Sequence, residues 1–281
     1  MTFGGGGGGF SSGRGFPLPI GGGVGFGAIV VMLIVVFVVP RLTGDDPFGG
    51  ALSPFDEGGT VRPGGTGVDP TDPRGEFVDA VMDDVQTTWI DIFERAGQTY
   101  RETDIVLFEG VIDSGCGRAT SEVGPFYCPA DQLVYIDLGF FEELENRFGA
   151  PGDFAEAYVI AHEVGHHVQH LLGIDAEVQQ GVRDDPSRRS DLSIRQELQA
   201  DCFAGVWGRA AQGAGVLVAG DLEEGIAAAA AVGDDRIQEA ATGRVQPETW
   251  THGASEQRVK WFRAGFDSGD IGSCDTFTKD V

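Results

Sequence analysis

AYVIAHEVGHHVQHLLG, residues 157–173, holds four of the chain's five histidines: His162, His166, His167 and His170. With the preceding DFAE it reads as one helix from Asp153 to Leu172, and Gly173 is its stop signal. Residues four apart share a helix face, about 6 Å apart along the axis. His162 and His166 can therefore occupy two corners of a zinc tetrahedron, and Glu163 beside the first can aim at a metal-bound water. His170 is too distant to join them, since eight residues span roughly 12 Å and zinc ligands sit about 2 Å from the ion. A third histidine from the same helix would need Gly at 169 and His at 172, where the chain has Gln169 and Leu172. The competing reading is a histidine-rich surface helix.

The third ligand must come from elsewhere. RQELQADCFAGVW, residues 195–207, lies on a helix read from Leu192 to Ala211. Glu197 and Asp201 stand at i, i+4 among apolar neighbours. Glu197 can complete a two-histidine, one-glutamate site, and Asp201 can receive the second N–H of a ligand histidine. In a chain with 44 acidic residues, a solvated helix-face charge is the rival reading for Glu197. The fifth histidine, His252, lies in TWTHGASEQRVKWF, just ahead of a helix carrying Arg258. Either could donate to the oxyanion of a tetrahedral intermediate. A loop or capping role is the alternative for His252.

Outward from this centre, apolar spacing predicts helices at 76–96, 140–148, 221–232, with Asp221 as a cap, and 255–264. Ile105–Phe108 and Leu133–Leu138 (LVYIDL) read as strands. The fold class is α+β, with more helix than strand.

The start of the chain differs in kind. Residues 1–15 are dominated by glycine and read as disordered. Ala28–Val39 (AIVVMLIVVFVV) is an uninterrupted apolar run. Extended back to residue 16 it is long enough for a membrane anchor over 16–40, about 24 residues for a core of roughly 30 Å. A cleaved signal peptide and a buried core segment are the alternatives. Residues 41–74, rich in Gly, Pro, Asp and Thr, form a linker, and 75–281 form the folded domain.

Four cysteines, Cys116, Cys128, Cys202 and Cys274, include no CxxC pair, so a structural zinc knuckle is disfavoured. Three connectivities are possible. The favoured one joins Cys116 to Cys128, closing a short loop, and Cys202 to Cys274, tying the C-terminal tail to a helix. Disulfides imply an oxidising compartment, which sets the anchor with its N-terminus cytoplasmic and the domain extracytoplasmic, a single-pass cell-membrane protein. The 19 basic against 44 acidic residues, a formal charge of −25, argue against nucleic acid or an anionic lipid surface as partner.

These stretches, with GPFYCPADQLVYIDLGFFEEL (124–144), GDDRIQ (233–238) and THGASEQRVKWFRAGF (251–266), resemble the bacterial "putative neutral zinc metallopeptidase" family of small membrane-anchored proteins. HEVGH followed by E-x-x-x-D is also similar to the gluzincin pattern of thermolysin-type peptidases. The resemblance runs over about residues 74–276. It implies a zincin-like domain, mostly helical with a small sheet, holding one catalytic Zn²⁺ through His162, His166 and Glu197, with Asp201 behind them and Glu163 as general base. It implies a peptide or protein substrate lying along LVYID as an edge strand, and His252 and Arg258 near the reacting centre. A membrane-tethered zinc-binding adaptor without activity is the alternative function, and a metal-dependent hydrolase of non-peptide substrates is a third.

Overall fold

The computed structural model describes residues 73–281. The predicted glycine-rich start, the membrane anchor and nearly all of the linker lie outside the described residues. Among the described residues, no helix is long and apolar enough to cross a membrane.

The domain opens with helix α1 (Pro73–Arg95), two residues ahead of the predicted domain boundary. Strands β1 (Asp104–Phe108), β2 (Val111–Ser114), β3 (Gly117–Thr120), β4 (Phe126–Cys128) and β5 (Leu133–Asp137) follow, and then α2 (Gly139–Asn146) and α3 (Asp153–Leu172). The remainder is helical: α4 (Ile174–Asp184), α5 (Arg189–Ala214), α6 (Asp221–Ala231), α7 (Asp234–Thr242) and α8 (Ser255–Ser268). The fold is α+β and mostly helical, as expected. The α3 boundaries match the sequence reading at both ends, because Gly173 adopts the left-handed conformation (φ 78°) that terminates a helix. Asp221 is not a cap. Gly220 holds that position, and the Asp221 carboxylate instead accepts from the Val218 N–H at 2.7 Å.

The sheet has the order β1-β5-β4, with β1 parallel and β4 antiparallel to β5. β2 and β3 form a separate hairpin. This corrects the expectation that LVYID is an edge strand, for it is central. The sequence pattern points apolar side chains to both faces. Val134 and Ile136 join the main core, while Tyr135 packs with Phe108, Ile112, Ala119 and Cys128 in a smaller one. β5 is central because β1 and β4 each pair with one of its two edges. The edges fall to β1 and the three-residue β4, whose Cys128 is paired with Cys116 (Cα–Cα 5.8 Å) in the turn of the hairpin.

The main core is built around α3, buried from Phe154 to Gly165 with few breaks and packed by α1, α5 and α6. Close helix contacts set the geometry. A Cβ on Gly205 of α5 would lie 2.0 Å from the Phe262 carbonyl oxygen, and one on Gly265 of α8 would lie 1.9 Å from the Cys202 carbonyl oxygen. These two glycines let α5 and α8 touch backbone to backbone. The pairing of Cys202 with Cys274 (Cα–Cα 5.5 Å) then holds the segment after α8 against α5.

Alanine at Gly205 or Gly265 is expected to cost about 1–3 kcal/mol or more through overpacking against backbone, visible as a lowered melting temperature. Gly213→Ala, on α5 with nothing within 4 Å of the new methyl, is the control. It should hold or raise stability, by at most about 1 kcal/mol.

Candidate metal centre

Helix α3 carries His162 and His166 one turn apart, and α5 brings Glu197 across from them. The approach is close at Gly165, where an added Cβ would sit 3.2 Å from both the Cα and the carbonyl oxygen of Ala200. This lets one carboxylate meet both imidazoles. His162 Nε2 lies 3.2 Å from Glu197 Oε2, and His166 Nε2 lies 3.5 Å from Glu197 Oε1. The three ligand atoms fall within 4.8 Å of one another.

Each imidazole is held from behind through its Nδ1. His162 donates to Asp201 Oδ1 at 2.9 Å, and His166 donates to Gln169 Oε1 at 2.8 Å. The Gln169 amide is fixed in that orientation because its Nε2 donates to the Gln196 carbonyl and to Gln199 Oε1, at 2.7 and 3.0 Å. Asp201 is fully buried. It also accepts from Tyr158 Oη (2.5 Å), from Arg258 Nε at Oδ2 (2.8 Å) and from Arg258 Nη2 at Oδ1 (2.8 Å). Arg258 Nη1 donates to the Val232 carbonyl at 3.0 Å. Arg258 thus stands behind the His162–Asp201 pair, with its donors engaged there. Both Nε2 atoms are left pointing at the shared carboxylate, as metal ligation requires.

Burial works against the charge on Asp201, but the Arg258 guanidinium outweighs it and holds the carboxyl at about 2. Burial likewise opposes ionisation of Glu197, yet the charges of His166 and His252 and the hydrogen bonds from the two imidazoles keep it well below the ordinary range. Burial alone would lower His162. Its bonds to Asp201 and Glu197 prevail and raise it to about 9. His166 is raised in the same way, by Glu197 against burial.

The group opens into a cleft of about 400 Å³. Glu163, buried on α3, lines it beside the two histidines. His252 lines it too, on a turn held by Asp234, whose Oδ2 accepts from the backbone N–H of Thr251, His252 and Gly253 at 2.8, 2.7 and 3.0 Å. His252 Nδ1 lies 3.2 Å from Asp234 Oδ1. The segment from Val123 to Tyr127, which includes two residues of β4, lines the cleft as well. His167 and His170 have other partners. His167 is fully buried, donates from Nε2 to the Arg101 carbonyl at 2.6 Å, and accepts at Nδ1 from Tyr127 Oη at 3.0 Å. His170 pairs with Asp175 at 2.8 Å.

The structure therefore brings the candidate ligands and catalytic residues together: His162, Glu163, His166, Glu197, His252 and Arg258 line one cleft, and Asp201 lies behind His162. Sequence reading missed Gln169, Tyr158 and Asp234. Gln169 was within reach of it, as the i+3 neighbour of His166 on the same helix face. Two imidazole nitrogens and one carboxylate form a donor set that zinc takes in catalytic sites, with three protein ligands rather than the four of a structural site.

Comparison with known proteins agrees with this donor set. The model of the family described as "Putative neutral zinc metallopeptidase" matches residues 3–277. The chain belongs to this family. Among its relatives are "Uncharacterized protein YpfJ" of Escherichia coli (strain K12), 46% identical over 270 residues (96% of this chain and 91% of the relative), and "Uncharacterized protein Rv2575" of Mycobacterium tuberculosis (strain ATCC 25618 / H37Rv), 45% identical over 256 residues (84% of each). No solved structure matches the chain. Membership of a zinc peptidase family implies zinc as the metal that the three donors fit.

Three outcomes are expected for this centre. Gln169→Leu should lower zinc affinity about 10–100-fold in a chelator competition, the usual effect of removing a group that orients a ligand histidine. In the metal-free protein the raised pKa of His162 stabilises the fold fully below its unfolded value of about 6.5, and this contribution is lost as pH rises towards about 9. Melting temperatures of the chelated protein should fall over that window. Zinc uptake at neutral pH should release protons, read from the buffer dependence of the binding heat.

Proposed function

We propose that this protein is a membrane-anchored zinc metalloendopeptidase that hydrolyses peptide bonds, with Glu163 as general base. The observation that carries the reading is the convergence of His162 Nε2, His166 Nε2 and the Glu197 carboxylate on the floor of an open cleft whose wall includes Glu163. Zinc, when bound, supplies a Lewis acid for the substrate carbonyl and lowers the pKa of water towards about 7. The chain's own residues do the rest. Asp201 and Gln169 hold the two imidazoles with Nε2 forward, so no reorientation is needed at the moment of reaction. The Glu163 carboxylate takes a proton from the attacking water and returns it to the nitrogen of the leaving amine. His252, with Nδ1 engaged by Asp234, donates from its other nitrogen to the carbonyl oxygen as charge develops there. Burial would lower its pKa, but the charge of Glu197 and the bond to Asp234 raise it, which favours the donating form. Arg258 acts through Asp201 as a positioning residue.

β4 is an edge strand with two residues in the cleft lining, which suits a substrate added as an extended strand. Two cysteine pairs favour an oxidising compartment, and hence an extracytoplasmic domain tethered through residues 16–40. The rival reading, a zinc-binding adaptor without activity, is disfavoured by the three-ligand donor set, because a structural zinc is normally closed by four protein ligands.

The test uses the full-length protein in detergent and a panel of denatured protein substrates. Expected are about one zinc per chain, cleavage abolished by chelation and restored by zinc, and a Glu163→Gln variant that keeps its zinc while its rate falls by a factor of about 10²–10⁴ or more. A Glu163→Gln variant that cleaves at the wild-type rate removes the base assignment. Zinc without any cleavage makes the adaptor the better reading.

A further inference from the structure

One group in the cleft has no task in that mechanism. Arg189, the first residue of α5, lines the same cleft as Glu197. Its Nη1 is buried and makes no hydrogen bond. The arginines around it are all engaged. Arg183 donates to Gln180, Arg188 pairs with Asp191 at 3.7 Å, and Arg195 pairs with the same Asp191 at 2.8 Å. The other arginine of the cleft, Arg258, is held by Asp201. Arg189 has no ion pair among the described residues, in a chain whose acids outnumber its bases by 44 to 19. A half-buried guanidinium that lacks a counter-charge carries a desolvation cost unless an anion arrives to complete it.

Its placement says where that anion sits. Arg189, Ser193, Gln196 and Glu197 all line the cleft and stand at i, i+4, i+7 and i+8, one face of α5. Eight residues of helix put the Arg189 backbone roughly 12 Å from that of Glu197 along the axis. An extended peptide advances about 3.3 Å per residue, so this is a distance of about three to four residues from the scissile bond.

We propose that Arg189 is a specificity-determining residue that receives a carboxylate of the substrate, held by the guanidinium fork about three to four residues from the bond being cut. The carboxylate is either an Asp or Glu side chain or the free C-terminus of a short peptide. Both present the planar pair of oxygens that a guanidinium matches. The inference rests on the peptidase reading above.

The experiment measures kcat/KM of the zinc-loaded full-length protein on peptides of one sequence, with Glu replacing Gln at each position in turn. Each peptide is made both as free acid and as C-terminal amide. Wild type should prefer Glu over Gln about tenfold or more at one position, or free acid over amide, the size expected of a charge-assisted hydrogen-bond pair. The first result assigns a side chain, the second a C-terminus. Arg189→Ala should abolish the preference, read as the ratio of kcat/KM on the acidic and neutral peptides, Arg189→Lys should retain part of it, and Arg189→Glu should turn it towards a Lys peptide. Cleavage with no acid preference at any position, or a preference that survives in Arg189→Ala, overturns this inference and leaves the peptidase reading intact. If nothing is cleaved, fluorescence anisotropy of the same peptides on Glu163→Gln decides. Acid-selective binding that is lost in the Glu163→Gln, Arg189→Ala double variant keeps the carboxylate site and removes the peptidase. Binding without acid selectivity, or none, removes the site.

Discussion

The buried carboxylate of Asp201 is the contact on which the centre depends. It lies on α5, accepts from Tyr158 and His162 on α3, and is gripped by Arg258 on α8. Three helices that are distant in sequence are thereby keyed to one another at a single point. Removing an ionised carboxylate from water costs several kcal/mol, and a guanidinium with two short bonds to it recovers much of that but seldom yields a surplus. What the arrangement secures is orientation. With Nδ1 of His162 tied to Asp201, only Nε2 can face the cleft.

The second condition is the separation of backbones. Glu197 reaches both histidines because α3 and α5 meet at Gly165 and Ala200 with almost no side chain between them. The α5–α8 contact at Gly205 and Gly265 does the same for Arg258. The HEVGH glycine is therefore part of the packing as well as the motif, and the residues that hold His162, His166 and Glu197 in register are chiefly those with the least side chain.

Legibility in the sequence followed the range of the interactions. Helix α3 was readable to the residue because its signals are local, a helical run closed by a left-handed glycine. Glu197 and Asp201 were readable because i, i+4 acids in an apolar helix need a reason. Arg258 was readable as a member of the centre, but not as the partner of Asp201, since nothing local distinguishes a donor facing substrate from one facing a buried acid. LVYID was misplaced because its edge position was carried over from the resemblance, and nothing in its own residues tells which strands pair with it. Tyr135, on the other face, has its own small core, and the pairing of β1 and β4 with its two edges makes the strand central. The short β2, β3 and β4 carry too few residues to stand out from loop, and the amphipathic helices α4 and α7 carry too few apolar ones. The favoured cysteine pairing agrees with the structure, as the short loop and the tail clamp suggested.

The order in which these parts occur along the chain sets the order in which they can come together. His162 and His166 emerge first during synthesis, whereas Arg258 lies 96 residues beyond His162. Cys274, whose carbonyl receives Gln199 and through it Gln169 and His166, comes later still. At roughly 5–20 residues per second, the imidazoles precede Arg258 and Cys274 by several seconds or more. Over that interval the nascent chain has metal-binding side chains but neither the buried counter-charge nor the tail that aligns them. The timetable of translation thus keeps the centre unassembled until nearly all of the domain has been made.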